Sequence, residues 1–381
     1  MKILAIDDQQ LILLSIQKKL TESGFDVCIS ETGDKGIVLY EQFKPDLVIV
    51  DINMPGMSGL DVVKHIRLNK GDDTPILILS GNTDEQVIVD GFDLGINDYM
   101  KKPVSLNEMA ARVDRILGIR NLPERRIPVK TNQILQQYCV GIVIPCYNEE
   151  ERLSSAAFQQ IATENLGYHL CFVNDGSTDN TLEVLNRLKE GNEDRISVYN
   201  CEENGGKAEA VRQGMQHLAK DKQFDYLGYL DADLSTDFRD FDELVRTLEN
   251  SEFKIVSGSR ISRMGANITK ESARKIISKT INMIIQKILE MPFKDTQCGA
   301  KIMSRDIVEP IFEDKFITRW LFDVEIFMRM KGLYGKDKAH KLICEQPLKR
   351  WIHADGSKLS MKDSVKIIGQ LGHIAMYYNR I

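Results

Sequence analysis

Apolar runs of strand length alternate with amphipathic stretches of helix length along most of this 381-residue chain. In the first third, MKILAID, DVCIS, DLVIVD, PILILS and DYMKK read as five short strands. LILLSIQKKLTESG and LDVVKHIRLNKG, which fall between them, have helical spacing. Strands alternating with helices predict a parallel, doubly wound α/β sheet. The alternation lapses over residues 119–137, IRNLPERRIPVKTNQILQQ, where Pro123 and Pro128 predict a short, stiff linker. A second series follows, with CVGIVIP, YHLCFVND, ISVYN, YLGYLDAD and FKIVSGSR as strand candidates and a mostly helical segment after Ser272. The expected architecture is two α/β domains, residues 1–118 and 138–381, joined by that linker.

Composition narrows the class. A chain with 43% hydrophobic and 28% charged residues is that of a soluble globular protein. Seven widely spaced cysteines contain no C-x-x-C pair, so neither a disulfide framework nor a structural zinc site is expected. The opening MKILAIDD reaches an acidic pair too soon for a signal peptide, and no run of about 18 apolar residues occurs. A cytoplasmic protein is expected. Net charge is −7 over residues 1–118, −9 over 119–250 and +10 over 251–381. A basic final third can attract pyrophosphate, anionic lipid or nucleic acid, although most of its lysines read as a solvated surface.

Five chemistry-bearing residues of the first domain, Asp7, Asp8, Asp51, Ser80 and Lys102, fall at or just past strand ends. Functional groups of doubly wound sheets collect at that rim. Three carboxylates can hold Mg²⁺ through oxygen ligands. The ion would shield Asp51 from an incoming phosphodonor. Ser80 could then hydrogen-bond the new phosphoryl oxygens, and Lys102 could pair with them. ILAIDD, DINMPGMSG, LILS and YMKKPVS, in this order and spacing, resemble the response-regulator receiver domain. The resemblance covers residues 1–118 and implies a flavodoxin-like fold with a five-stranded parallel sheet. It makes Asp51 the phosphoacceptor. Asp8, Asp51 and the Asn53 carbonyl would hold Mg²⁺, with Asp7 in support. Ser80 would be the switch hydroxyl and Tyr99 the switch aromatic. Lys102 would precede a cis-proline turn at Pro103. The implied partner is a sensor histidine kinase.

In the second domain, VIPCYNEE places Asn148, Glu149 and Glu150 after a strand, and VNDGSTDNT places Asp175 and Gly176 after another. Such loops suit a base and ribose. In LDADLSTD, Asp231 and Asp233 can both face a divalent cation bridging a pyrophosphate. Lys207 in NGGKAEAV stands at a helix start, as a phosphate or nucleotide contact or as part of a plain capping loop. This series resembles the inverting family-two glycosyltransferases of GT-A fold, a mixed, mainly parallel α/β domain. GSR, KDTQCGAKIMSRD, RWLFDVEIF and GSKLS look like the subgroup that makes dolichyl-phosphate glucose, and its polyprenyl-phosphate relatives. The resemblance implies a nucleoside-diphosphate sugar as donor, UDP-glucose first. Glu149, Asp175, Lys207 and Arg260 would bind it, Asp175 at the base and Arg260 at phosphate. Asp231 and Asp233 would place Mg²⁺ or Mn²⁺. Asp295 is the first candidate for a base or acceptor-positioning residue, and Asp323 the second. Trp320 reads as core rather than as a sugar platform. Ser272–Met291, broadly apolar with Lys275, Lys279 and Lys287, could lie in a membrane interface and collect an anionic lipid acceptor, or could pack within the domain or in a dimer.

The combined expectation is an inverting, metal-dependent glycosyltransferase regulated by phosphorylation. It would move a sugar, glucose favoured, to a polyprenyl-phosphate or other acceptor, and act in the cytoplasm or peripherally at the inner membrane face. A homodimer is among its expected partners and nucleic acid is not, because no helix-turn-helix pattern follows residue 118. The alternative is a non-catalytic signalling protein whose transferase-like domain senses a nucleotide sugar.

Overall fold

The structure is a computed structural model that describes residues 1–81, 85–119, 133–261, 267–268, 274–351 and 361–378. The chain divides into two compact units, residues 1–139 with 158–168, and residues 140–157 with 169–381.

The first unit is built from β1 (Lys2–Ile6), α1 (Gln10–Glu22), β2 (Asp26–Ser30), α2 (Gly33–Phe43), β3 (Leu47–Val50), α3 (Gly59–Lys64), β4 (Ile76–Ser80), α4 (Glu85–Asp93), β5 (Asp98–Lys101), β6 (Val104–Ser105) and α5 (Leu106–Ile116). Strands β2-β1-β3-β4-β5 form a parallel sheet in that order. Every residue of β3 and β4 is buried, as expected of strands covered by helices on both faces. Leu4, Ile6, Val48, Val50, Ile76 and Ile78 meet Val62, Val63 and Ile66 in one core. Helix starts are fixed locally: Thr32 Oγ1 accepts from Lys35 N at α2, and Ser58 and Asp61 form a reciprocal capping box at α3.

The rest of the chain supplies β7 (Ile134–Cys146), α6 (Ser155–Glu164), β8 (Asn165–Asp175), α7 (Thr181–Lys189), β9 (Ile196–Cys201), α8 (Lys207–Ala219), β10 (Tyr226–Leu230), α9 (Phe238–Glu249), β11 (Ile255–Ser259), β12 (Asn267–Ile268), α10 (Arg274–Leu289), β13 (Ala300–Ser304), α11 (Val308–Phe312), α12 (Phe322–Tyr334), α13 (Lys336–Leu342), β14 (Ile343–Pro347), β15 (Arg350–Trp351) and α14 (Met361–Tyr378). The large sheet runs β14-β11-β13-β10-β7-β8-β9. Pairs β10·β7, β8·β9 and β11·β14 are parallel. β13 is antiparallel to both β10 and β11. β12 and β15 form a separate parallel pair.

The segment after Ser272 is mostly helical, as expected, in α10 to α14, and the short strands β13 and β14 within it complete the sheet. AKIMS is short and carries a lysine, so its strand character comes from pairing with β10 and β11. One expectation changes here. Residues 134–137, placed in the linker, begin β7, because the Pro-bearing part ends before them. Residues 120–132 lie outside the described residues.

Candidate functional sites in the two units

In the first unit, Asp7 follows β1, Asp51 follows β3, Ser80 ends β4 and Lys102 follows β5. Ligand oxygens of Asp7, Asp8 and Asp51 lie within 4.8 Å of one another. Lys102 is fully buried, with its Nζ 2.6 Å from Asp7 Oδ2 and 3.5 Å from Asp51 Oδ2. Burial opposes the Lys102 charge, but Asp7 and Asp51 outweigh it and hold the ammonium above the ordinary lysine value. Burial also pushes the Asp7 carboxyl up to about 6, with Lys102 opposing and Asp51 adding to the rise. Asp51 Oδ1 is buried without a hydrogen-bond partner. An orphaned carboxylate oxygen beside two further carboxylates suits a hard cation. Ser80 is buried, and Tyr99 is half-buried on β5 with its phenol raised by burial and then by Asp51. The exposed Asn53 lies in the loop after β3, and the Lys102–Pro103 peptide is cis.

In the second unit, the loops after β7 and β8 are tied together before any ligand arrives. Asn148 Oδ1 accepts from Thr178 N at 2.9 Å, Glu149 N donates to Thr181 Oγ1 at 2.8 Å, and Glu150 accepts from Asn180. Asp175, at the end of β8, holds the next loop: its two carboxylate oxygens accept from Gly205 N and Gly206 N, both at 2.9 Å. It braces the NGGK turn from beneath. Gly206 caps α8 with φ +85°, so the turn delivers Lys207 as the first helical residue.

Lys207 Nζ lies 2.5 Å from Asp231 Oδ1, and both side chains are partly exposed. Burial opposes the lysine charge, but Asp231, Asp323 and Asp233 raise it above the ordinary value. Asp231 therefore carries a cation partner within the chain, whereas the one carboxylate cluster close enough to hold a metal ion among the described residues is that of Asp7, Asp8 and Asp51. Asp231 is also pressed against Gly299: Asp231 N donates to Gly299 O at 3.1 Å, and a Cβ at 299 would stand 1.8 Å from Asp231 Oδ2. Glu149 is raised by burial, with Arg152 opposing and Asp233 and Asp179 adding to the rise. Its Oε2 is buried without a partner.

Arg260 and Asp295 form a three-bond clamp. Arg260 N and Nε reach Asp295 Oδ2 at 2.8 and 2.7 Å, and Nη2 reaches Oδ1 at 2.7 Å. Asp295 N in turn donates to Glu345 Oε1 at 2.6 Å. Burial opposes the Arg260 charge, but Asp295 reverses this, with a smaller contribution from Asp231.

Asp323 is placed differently. It is buried, and its Oδ1 accepts from Lys301 Nζ at 2.6 Å and from the Tyr229 hydroxyl. Lys301 has no exposed surface and donates also to the Thr296 and Cys298 carbonyls at 3.0 and 2.6 Å. This suits an internal counter-ion that shapes the DTQCG loop. Trp320 corrects the sequence reading: it is 69% exposed, while the backbone turns its neighbours Leu321 and Phe322 inward. Sequence reasoning also missed the buried Lys301 and Tyr229 and the partly buried Glu345 as individual residues, because nothing in the segments that contain them shows which side chains turn toward Asp323 or Asp295.

Two α/β units, the first with an acidic rim at its strand ends, agree with the family comparisons. Residues 3–114 match the response regulator receiver domain, and residues 141–312 match glycosyl transferase family 2. The chain belongs to the family-two glycosyltransferases and carries a receiver domain ahead of the transferase. It is 32% identical over 236 residues to a dolichyl-phosphate beta-glucosyltransferase of Drosophila melanogaster, covering 58% of this chain and 69% of that protein. A Dictyostelium discoideum protein of the same name is 28% identical over 265 residues, covering 66% and 78%. The first domain is similar to the alkaline phosphatase synthesis transcriptional regulatory protein PhoP of Bacillus subtilis, 35% identical over 140 residues, covering 37% and 58%. Among the described residues, no helix is long and apolar enough to cross a membrane.

Proposed function

We propose that this chain moves glucose from UDP-glucose to a polyprenyl phosphate with inversion, and that phosphorylation of Asp51 by a histidine kinase sets its rate. The observation that supports the transfer is the meeting of Lys207 at the start of α8 with Asp231 directly after β10, 2.5 Å apart and both partly exposed. An acceptor phosphate oxygen attacks the anomeric carbon. The bond from that carbon to the diphosphate breaks, and UDP leaves with the electron pair. Asp231 and Asp233 would hold Mg²⁺ or Mn²⁺, which supplies positive charge to the departing diphosphate. Lys207 stabilises the same charge from the α8 start. An acceptor phosphate is already an anion, so no strong base is needed. Asp295 then acts by holding Arg260 toward phosphate rather than by taking a proton. Glu149 and the Asp175-braced loop enclose the nucleotide.

Asp51 would take a phosphoryl group from a phosphohistidine. The donor's P–N bond breaks as a P–O bond to Asp51 forms, and the imidazole leaves. Asp7, Asp8, Asp51 and the Asn53 carbonyl would hold Mg²⁺, which would supply charge to offset that of the phosphoryl group. Met283 on α10 and Ile368, Met376 and Tyr377 on α14 are exposed apolar side chains on two helices that pack together. They support an acceptor reached from a membrane surface. Lys275 and Lys279 have side chains outside the described residues.

The test is release of nucleoside diphosphate from a panel of nucleotide sugars, with Mg²⁺ or Mn²⁺ and a polyprenyl phosphate, with and without beryllofluoride as a phosphoryl mimic. Turnover with UDP-glucose that changes on beryllofluoride addition is expected. Asp51→Ala should keep basal turnover and lose that change. Binding of a nucleotide sugar without turnover under every condition would favour a sensor instead.

A further inference from the structure

The first six residues of β7 lie against the switch loops of the first unit. Val104 and Ser105, directly after the Lys102–Pro103 turn, pair antiparallel with Leu135 and Ile134. Leu106 N donates to Gln133 O at 3.0 Å. Leu135 and Cys139 are buried, and Cys139 lies within electrostatic reach of Lys102. Gln137 covers Gly81, the residue after Ser80: a Cβ at 81 would stand 2.3 Å from Gln137 Cδ. On the other flank, a Cβ at Gly167 would stand 2.9 Å from Gln136 Cβ. This segment thus touches both loops whose residues are expected to respond to a phosphoryl group on Asp51. The same strand continues to Cys146, and the loop bearing Asn148, Glu149 and Glu150 follows it.

We propose that residues 133–139 form the readout of the receiver: they dock on the Gly81 and Val104 loops at rest and are loosened when Asp51 is phosphorylated. The inference rests on the proposed phosphorylation of Asp51. A phosphoryl group gives the Ser80 hydroxyl and the Lys102 ammonium a new, strongly charged partner on the Asp51 side. Gly81 is bonded to Ser80, and Val104 is two residues from Lys102. Drawing both loops toward Asp51 withdraws the surfaces that Gln137 and Leu135 rest on. The nucleotide loop is seven residues of strand away from Cys139, so a change in the first half of β7 acts on the donor side through the chain itself. Linkage makes the effect reciprocal: a chain whose strand is already loose takes up the phosphoryl mimic more readily.

Hydrogen exchange of the full chain with Mg²⁺, with and without beryllofluoride, tests this. Peptides around Asp51 should gain protection, which reports occupancy. Peptides covering 133–139 should exchange roughly tenfold faster. Gln137→Ala removes the amide over Gly81, and Gly81→Ala evicts it by adding a Cβ. Both variants should exchange fast at 133–139 without beryllofluoride and bind the mimic more tightly. Protection at Asp51 with unchanged exchange at 133–139 would overturn the inference, as would unaltered resting exchange in both variants. Turnover is assayed separately on the same samples. If the strand responds while turnover is absent or indifferent to beryllofluoride, the proposed function fails and this readout stands.

Discussion

Lys207 meets Asp231 at 2.5 Å, and Lys301 meets Asp323 at 2.6 Å, in the same unit and on neighbouring strands and helices. Distance does not separate the two pairs; surroundings do. Lys301 is sealed, and its three N–H groups are all engaged, two of them by backbone carbonyls of the DTQCG loop. Lys207 and Asp231 retain about a quarter of their side-chain surface, at the start of a helix and the end of a strand. A sealed pair is fixed, so removing one partner strands a charge in the interior. A half-open pair can be separated when a ligand offers each ion a better partner. The first belongs to the scaffold, and the second is the pair on which the proposed transfer rests. The contrast bears on how paired charges are read generally: exposure and the engagement of the remaining donors say more than length.

The largest expected effect is on the sealed pair. Lys301→Met should lower the stability of the transferase unit by roughly 3–5 kcal/mol, because Asp323 is left buried and uncompensated. Urea unfolding followed by transferase-unit fluorescence checks this, and Lys301→Met with Asp323→Asn should recover most of the loss. A Lys301→Met chain as stable as the parent would break the comparison. At the open pair, Lys207→Met should change stability by less than about 1 kcal/mol. It should still lower kcat/KM about 100-fold, or ~2.7 kcal/mol in the barrier. Steady-state kinetics beside a melting curve tests both halves. Gly299→Ala gives a milder version, since the new Cβ must displace the Asp231 carboxylate. A fall in kcat of roughly tenfold with an unchanged melting temperature is expected.

The smallest effect sharpens the contrast with a carboxylate that has no lysine. Burial pushes Glu249 up to about 7, with Asp242 and Asp225 adding to the rise and Arg246 too weak to offset it. The folded chain then binds this proton more tightly than the unfolded chain, whose value is near the ordinary 4.5. The contribution to stability is full below that ordinary value and is lost as pH rises through about 7. Glu249→Gln should therefore melt higher than the parent at pH 8 and close to it at pH 4.5. Equal melting differences at the two pH values would count against the shift.

The receiver rim was legible because its residues sit at strand ends, where period and chain order alone place them. The strands β1 to β5 and β7 to β11 were legible for the same reason. Asp231 and Asp233 were singled out by their spacing after an apolar run, but the lysine that the structure sets against Asp231 comes from another motif. Lys301 was not found, because a lysine in a short strand gives no sign that its ammonium turns inward to a carboxylate 22 residues later in the chain. Asp323 was read as a candidate base for the complementary reason: its partner was invisible. The pairing of Arg260 with Asp295, two residues named separately, depends on β11 and the DTQCG loop meeting across 35 positions. Trp320 was misplaced because apolar character does not reveal which residue of a tight turn faces out.

The seven cysteines have a practical consequence. Five are buried, and the two partly exposed ones, Cys28 on β2 and Cys344 on β14, fall one in each unit. A thiol-directed donor and acceptor dye would settle on these two positions in the native resting chain. Energy transfer between them would then serve as a molecular ruler with one end in each unit, without replacing a single residue.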